Sequence, residues 1–288
     1  MFSPEDKAQF LRDGFFIDRG AFTPSECDTL RESARRVQQK TRETLPDGTR
    51  FWYGGGEDRT KIPDESRPLA TWGVNEITRP ELLDPALVNV FAYPRVHQAL
   101  HTLLGPEPRA WGIKLLWTPK IVDYDLQWHR DLDSALYDVV HQKPAAQDHV
   151  QFNAALNFDD CFIVVPGSHR RTLTSQEWDA IRNHPTAPLP GQIETALQPG
   201  DILYMDAHTL HRGRSSIGGD RLTLHYSAQA QWVPLKEWGT PEHFAWITSE
   251  GFADALEPDV RPLYERLRTA ARTDDGNEHI KRAAFADA

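Results

Sequence analysis

Two periodicities divide this chain. Up to about residue 108 the apolar positions recur mainly at helical spacing. Residues 3–6 and 23–26 each combine a hydroxyl side chain, a proline and an acid three positions after the hydroxyl, which is a helix-start signal. A third helix is predicted over residues 94–104, where a Gly-Pro pair follows. Residues 14–17 are predicted to form a short buried strand between the first two helices.

A long segment without sustained periodicity separates the second and third predicted helices. It covers residues 47–80 and contains Trp52, Tyr53 and three consecutive glycines. Long loops inside compact domains are usually functional or disordered, and the aromatic residues favour an ordered loop. We predict a loop that covers a site, with Trp52 and Tyr53 lining a substrate pocket.

From about residue 109 to residue 233 the pattern changes to short strands. These runs are rich in β-branched and aromatic residues, and Pro-Gly or Gly-Gly pairs separate several of them. The predicted strands lie at residues 111–117, 150–158, 162–165, 201–205 and 221–231. Many short strands without intervening helices predict an antiparallel barrel or double sheet such as a jelly roll. After residue 234 the sequence is again charged and helix-like.

Alternation within these strands leaves two interpretations open. In the run from Arg221 to Ser227 the odd positions are polar and the even positions are apolar or aromatic. Successive side chains of a strand point to opposite faces, so Arg221, Thr223, His225 and Ser227 share one face. This polar face could lie in solvent, or it could line the interior of a barrel that holds a ligand.

Composition restricts the function classes. The chain has 288 residues, of which 39% are hydrophobic and 26% charged, as expected for a folded globular protein. Its formal net charge of −10 disfavours nucleic-acid binding. No apolar run approaches the length of a membrane span, and the first residues do not resemble a signal peptide. We expect a cytoplasmic protein, either monomer or homodimer, with a small-molecule substrate and no nucleic-acid or membrane partner.

A histidine and a carboxylate at strand spacing indicate metal chemistry. His129 and Asp131 lie two positions apart, so in an extended segment both side chains reach one ion. A histidine from a distant strand would complete the two-histidine, one-carboxylate triad of non-heme iron(II) oxygenases, which leaves positions open for substrates. His208 and His211 are the two candidates for that second histidine. With two cysteines in the chain, a cysteine zinc site is not expected.

An arginine follows the second candidate by ten residues. Arg221 begins the alternating strand. A guanidinium in the interior can bind a carboxylate through two parallel charge-assisted hydrogen bonds, which suits a dicarboxylate co-substrate.

Together these residues resemble a known family. The motifs appear in family order: residues 128–131, 166–169, 200–201, 211–213 and Arg221, after an opening at 13–17. The chain is similar, over residues 8–232, to the phytanoyl-CoA dioxygenase family of iron(II)- and 2-oxoglutarate-dependent oxygenases. The resemblance implies a mainly β fold with flanking helices, built on a double-stranded β-helix, the jelly-roll or cupin-like barrel.

The resemblance also assigns the site and the domain organisation. It implies that His129, Asp131 and His211 bind Fe(II) and that Arg221 binds the far carboxylate of 2-oxoglutarate, with O2 as the second co-substrate. It implies one domain over residues 1–288. The parts of this domain are a mainly helical wrapping with a lid loop at 1–108, the barrel core at 109–233 and a helical segment at 234–288.

Further contacts are predicted around this core set. Gln127 shares a face with His129, and Asn153 stands where many family members carry an aromatic residue, so both are candidates for the other end of 2-oxoglutarate. Thr223, on the same face as Arg221, is also predicted to bind 2-oxoglutarate. His225 and Trp232 join Trp52 and Tyr53 as candidate substrate contacts.

The predicted reaction is hydroxylation of a small polar metabolite or natural-product intermediate, with release of succinate and CO2. The same oxidising chemistry could instead give desaturation, epimerisation or cyclisation. A cupin-like metal isomerase or hydrolase would keep the three metal ligands without needing Arg221 on the inner face or 2-oxoglutarate.

Overall fold

The computed structural model describes residues 2–43, 51–53, 62–131, 147–233, 246–247 and 249–273. At residues 51–53 and 271–273 the backbone is described without the side chains. The helices are α1 Pro4–Asp13, α2 Pro24–Glu43, α3 Arg67–Ala70, α4 Pro85–Val88, α5 Pro94–Leu104, α6 Ser175–Asn183, α7 Glu250–Ala253 and α8 Arg261–Thr273. The strands are β1 Phe15–Asp18, β2 Phe51–Tyr53, β3 Thr71–Val74, β4 Arg109–Trp117, β5 Tyr124–Asp125, β6 His149–Ala155, β7 Phe162–Val164, β8 Ile193–Glu194, β9 Ile202–Asp206, β10 His211–Ser215 and β11 Leu222–Gln229.

Local sequence signals account for the helix boundaries. The Ser3 hydroxyl accepts from the Asp6 backbone N–H, and the Asp6 carboxylate accepts from the Ser3 N–H, so α1 begins with a capping box. Thr23 and Glu26 make the same reciprocal bonds at the start of α2. Gly14 ends α1 in the left-handed region with φ 81°. The predicted helices at the start of the chain, and the third over Pro94–Leu104, are confirmed.

The predicted loop over residues 47–80 is wrong in part. β2, α3 and β3 lie within it, and β3 pairs with both β2 and β4 at one side of the large sheet. The segment thus contributes strands to the large sheet. The three consecutive glycines at 54–56 lie outside the described residues, and so does the predicted lid around them.

The described strands form two antiparallel sheets. A seven-stranded sheet has the order β1-β9-β6-β11-β4-β3-β2, and a four-stranded sheet has the order β5-β10-β7-β8. An apolar cluster with members from both sheets, including Phe162, Val164, Leu203 and Met205, lies between them. The predicted jelly-roll class with flanking helices is confirmed, although among the described strands the two sheets do not close into a continuous barrel.

The central strand β11 has one face in the apolar core and a polar face on the opposite side. Leu222, Leu224 and Tyr226 belong to the main apolar cluster, which also contains residues of α2, α5 and α8. Thr223 and His225 lie on the opposite face, toward the four-stranded sheet. Thr223 is fully buried. The polar face of the alternation is therefore an interior face, and the solvent interpretation is wrong.

None of the described helices combines the length and the apolar character needed to cross a bilayer.

Candidate metal centre

Backbone pairing brings distant parts of the chain together at the predicted triad. His129 and Asp131 lie in the segment after β5, and His211 is the first residue of β10. His129 N–H donates to the His211 carbonyl, and His211 N–H donates to the His129 carbonyl, both at 3.0 Å. Asp131 N–H donates to the Ala207 carbonyl at 3.1 Å. These bonds fix the three side chains beside one another.

The three side chains converge on one point. The Nε2 atom of His129 lies 3.5 Å from one carboxylate oxygen of Asp131, and the Nε2 atom of His211 lies 3.5 Å from the other. One ligand atom from each residue lies within 4.8 Å of the other two. Two imidazoles and one carboxylate in this arrangement match the donor set of a facial triad, in which half of the octahedron stays open.

The other ring nitrogen of each histidine is held by the backbone. Nδ1 of His129 lies 2.8 Å from the Gln127 carbonyl, and Nδ1 of His211 lies 2.9 Å from the Thr209 carbonyl. A carbonyl only accepts, so Nδ1 carries a proton in both rings, and in the neutral ring Nε2 presents its lone pair. Such bonds orient a metal-binding histidine and fix its tautomer.

The charge state of the triad suits a cation. Burial lowers the pKa of His211 to about 4, so this ring is neutral at neutral pH. Burial would raise the pKa of Asp131, but the two histidines outweigh this effect and hold it well below its usual value. Burial also opposes protonation of His129, yet its bond to Asp131 raises the pKa of this ring overall. The ionised carboxylate attracts a proton or a metal ion to the same place.

Arg221 lies in the same cavity with its own buried partners. Its Nε donates to Asp159 at 2.9 Å, and Nη1 donates to the Tyr124 hydroxyl. Thr223 also donates to Asp159, at 2.5 Å, and the Cys161 N–H donates to the other oxygen of this carboxylate. Thr223 thus acts on Asp159 and is not among the residues that line the cavity.

The cavity has a volume of about 430 Å³. Its described lining contains the triad, Arg221 and a set of polar and aromatic side chains. These further residues are Trp72, Asn75, Lys114, Leu116, Tyr124, Leu126, Gln127, Asn153, Phe162, Met205, Gly213 and His225. The arrangement can hold a cation beside an anionic ligand, with one wall left for a second small molecule.

The sequence model of the family described as "Phytanoyl-CoA dioxygenase (PhyH)" matches residues 10–221. This match covers most of the chain. The chain belongs to this family. The predicted dioxygenase class is confirmed at the level of the PhyH family, while no curated protein matches the sequence significantly.

Solved structures share the PhyH fold. EctD from S. alaskensis with bound Fe is 17% identical, with a TM-score of 0.60, and the match covers 82% of this chain and 79% of EctD. HygX from Streptomyces hygroscopicus with nickel and 2-oxoglutarate is 17% identical, with a TM-score of 0.57, covering 80% of this chain and 88% of HygX. The epimerase SnoN from nogalamycin biosynthesis, described as alpha-ketoglutarate dependent, is 18% identical, with a TM-score of 0.55, covering 79% and 82% of the two chains.

His208, the alternative candidate for the second metal-binding histidine, pairs with a different carboxylate. His208 is buried, and its Nε2 lies 2.9 Å from a carboxylate oxygen of Asp148. The bond to Asp148 raises the pKa of His208 although burial opposes it, which is the behaviour of a buried ion pair. Asp206 lies close to both. The structure therefore joins His211, and not His208, to His129 and Asp131.

The remaining predicted contacts divide into two groups. Gln127, Asn153 and His225 line the cavity, and Nδ1 of His225 lies 2.7 Å from the Asn153 side-chain oxygen. Trp232 packs against the main apolar cluster and is not among the described residues that line the cavity, so its contact with substrate stays a prediction. The backbone of Trp52 and Tyr53 lies in β2, but their side chains lie outside the described residues.

Several residues of this site were not predicted from the sequence. Lys114 lies on β4 in register with His225, which in turn pairs with Asn153 on β6. A lysine inside an otherwise apolar strand was a usable signal, because charges are rarely placed in buried strands without a role. Tyr124 and Asp159 offered no local signal, since their link to Arg221 arises only in the folded chain.

Proposed function

We propose that this chain is an Fe(II)- and 2-oxoglutarate-dependent dioxygenase that hydroxylates a small polar metabolite or natural-product intermediate. One observation carries the proposal. The two Nε2 lone pairs and the Asp131 carboxylate converge in a cavity that also contains the Arg221 guanidinium. A metal hydrolase or isomerase has no need of a buried guanidinium in the same cavity, so the 2-oxoglutarate reaction is preferred.

The triad fits iron(II) by its donor chemistry. Imidazole nitrogen and carboxylate oxygen suit iron, and the neutral His211 ring needs no deprotonation before it binds. Bound iron supplies the activation of O2, which is consumed with 2-oxoglutarate while succinate and CO2 are released. His129, Asp131 and His211 would hold the ion, and the iron-bound EctD structure has the same fold.

Arg221 would bind the far carboxylate of 2-oxoglutarate. A guanidinium has five N–H donors, and two of them are used on Asp159 and Tyr124, so three remain for a ligand. Burial raises the pKa of Tyr124, which keeps its hydroxyl protonated. Because Tyr124 accepts from Arg221, its own hydrogen is available to the same carboxylate. The HygX structure with 2-oxoglutarate shows that this fold accommodates the ligand.

The metal-proximal end of 2-oxoglutarate needs separate contacts. Gln127 and Asn153 remain our candidates, and Lys114 joins them because it lines the same cavity. Burial lowers the pKa of the Lys114 amine, whereas the nearby Asp131 carboxylate raises it. An amine beside the triad would favour an anionic group next to the metal.

The wall beyond these contacts suits a small substrate. Trp72 stacks on Tyr124 with ring centroids 4.4 Å apart, and Asn75 and His225 add polar groups. The cavity of about 430 Å³ is at the small end of ligand pockets and must hold 2-oxoglutarate as well. This size supports a metabolite rather than a long acyl chain.

The outcome of oxidation depends on how the substrate is placed. SnoN shares the fold and is described as an epimerase. Desaturation, epimerisation and cyclisation therefore remain alternatives to hydroxylation. The mass of the product relative to the substrate separates them: it rises by about 16 Da on hydroxylation, falls by about 2 Da on desaturation or cyclisation, and is unchanged on epimerisation.

A spectroscopic test addresses the metal and the co-substrate together. Anaerobic addition of iron(II) and 2-oxoglutarate should give a weak visible charge-transfer band in the wild-type protein. We expect His129→Ala to lose the band because a ligand is removed, whereas His184→Ala, which removes an exposed histidine at the end of α6, should retain it. No band in the wild type, or an unchanged band in His129→Ala, would contradict the proposal.

A second arm identifies the substrate class. Wild-type protein with iron(II), 2-oxoglutarate and O2 should form succinate faster in the presence of particular members of a metabolite panel. Arg221→Ala should weaken 2-oxoglutarate binding by roughly 1.5–3 kcal/mol for each charge-assisted hydrogen bond lost. The variant should therefore require a higher 2-oxoglutarate concentration. Unchanged affinity for 2-oxoglutarate in this variant would overturn the assignment of Arg221.

A further inference from the structure

A second concave site lies outside the active-site cavity. This groove of about 450 Å³ runs between the C-terminal half of α2 and the turn that joins β10 to β11. Arg35, Gln38 and Arg42 line one side, at positions that share a helix face. Lys120, from the segment after β4, and the glycine turn at 218–219 line the other side.

The described lining of the groove carries more positive than negative charge. Among the described residues, Arg35, Arg42 and Lys120 have no carboxylate partner. Their neighbours on α2 differ, since Arg31 pairs with Asp28 and Arg36 pairs with Asp84. The pairing of these neighbours shows that arginines on α2 do find carboxylates where the fold supplies them.

The acidic character of the chain makes this cluster more specific. The formal net charge is −10, yet the described lining of the groove contains three unpaired cations and one acid, the exposed Asp220. Arg221 also borders the groove, but its guanidinium is held by Asp159 on the cavity side. A positive groove on a negative molecule concentrates anions locally.

The surroundings of Arg42 hold its guanidinium in a defined position in the groove. Its guanidinium lies over the Trp117 ring, 5.7 Å from the centroid. Its Nε is buried and has no hydrogen-bond partner among the described residues. Burial lowers the pKa of this guanidinium, so its positive charge is held at a cost in free energy. An anion that accepts from Nε would relieve this cost.

We propose that the groove is an anion site that binds the phosphate group of a small molecule, separately from the active-site cavity. A phosphate dianion offers several oxygens and can accept from two arginines and a lysine at once, which a single carboxylate does less well. The groove is large enough for a phosphate with a short organic part.

Calorimetry with sn-glycerol 3-phosphate tests the site. The full chain, supplied anaerobically with iron(II) and saturating 2-oxoglutarate, should bind this probe saturably at low salt, and glycerol should give no signal. Arg42→Gln and Lys120→Gln should each weaken binding by about tenfold, since each removes charge-assisted hydrogen bonds. Lys120 is exposed, so its variant tests the site without disturbing the core.

The matched control removes the same charge elsewhere. Arg182 is exposed on α6, over the Trp178 ring, and Arg182→Gln should bind the probe as the wild type does. Three results would overturn the proposal: no saturable binding up to about 10 mM probe, equal weakening in Arg182→Gln, or saturable binding only when 2-oxoglutarate is left out. Binding only without 2-oxoglutarate would place the probe in the active-site cavity, and equal weakening would reduce the effect to net charge.

Discussion

At the scale of single residues, the buried pair of Arg221 and Asp159 lies at the proposed co-substrate end of the cavity. Burial would raise the pKa of Asp159, but Arg221, Thr223 and the Cys161 N–H lower it below its usual value. The pair is thus ionised, and a 2-oxoglutarate carboxylate that reaches Arg221 must approach Asp159 as well. Two like charges about 6 Å apart repel by roughly 1–3 kcal/mol at an intermediate dielectric.

Asp159→Asn should strengthen 2-oxoglutarate binding while it weakens the fold. Asparagine keeps the shape and an acceptor for Arg221, so loss of the negative charge removes the repulsion and should lower the dissociation constant about tenfold. The same change leaves a buried guanidinium uncompensated, which should reduce the free energy of unfolding by up to about 3–5 kcal/mol. Titration calorimetry and thermal melts measure the two effects.

The neighbouring acid provides the control for this pair. Asp160 is exposed, and Asp160→Asn should leave both quantities near the wild-type values. Weaker 2-oxoglutarate binding in Asp159→Asn would instead mean that orientation of Arg221 outweighs the charge repulsion.

The position of Arg221 could be predicted from the sequence, whereas its partners could not. Its place after His211 and at the start of an alternating strand made it predictable. Its partners Asp159 and Tyr124 lie 62 and 97 residues away in the chain. Only tertiary structure brings them into contact, so no local pattern identified them.

At the scale of elements, local and non-local structure differ in how well they were predicted. The α1 and α2 starts depend on side chains within three residues of the cap, and these starts were predicted. β3 depends on pairing with β4, more than thirty residues later, and was missed. The strand carries Trp72 into the cavity lining, so this error also hid a site residue.

The junction of α1 and β1 leaves no room for a side chain at Gly14. A Cβ atom on Gly14 would lie 2.4 Å from the Thr209 hydroxyl and 2.6 Å from a His169 ring nitrogen. The carbonyl of Gly14 also accepts from the Asp206 N–H, at the start of the turn that leads to His211.

Gly14→Ala should therefore destabilise the protein more than Gly20→Ala. Both glycines have positive φ, 81° and 57°, so both substitutions incur backbone strain of about 1 kcal/mol. Gly20 has open space around it, whereas Gly14 meets side chains, and overpacking should add about 1–3 kcal/mol. Denaturant titration of the two variants gives the difference, and equal losses would contradict the close approach.

At the scale of the whole molecule, the candidate centre lies where the two sheets meet. His211 belongs to the four-stranded sheet, whereas Asn153 and His225 come from the seven-stranded sheet. Helices cover the opposite face of the large sheet. An ion held at this place ties the smaller sheet to the segment of His129 and Asp131, so metal binding should stabilise the folded state. The single domain over residues 1–288 stays a prediction.

Metal-dependent stability should fall in acid. A divalent ion must displace the proton that Asp131 helps to hold on His129, whose pKa is raised. Mn(II) at a hundred times its dissociation constant should raise the Tm by about 5 °C near pH 8. The increase should shrink by about pH 5.5, where His129 is protonated.

Thermal melts across this pH range measure the effect. His211→Ala should lose the Mn(II)-dependent increase at every pH, and the exposed His184→Ala should keep it. An increase in Tm that grew as the pH fell would exclude proton competition at this site.

The polar and apolar faces of β11 also restrict where evolution can insert or delete residues in this chain. One residue inserted in β11 before His225 would turn its cavity-lining side toward the helices and send leucines into the cavity. The register irregularity at Ser227/Ala228 gives no relief from such an insertion, because its extra residue, Trp111, lies on the neighbouring strand β4. Insertions and deletions should thus be tolerated in the turn at 216–220 and eliminated between this turn and His225.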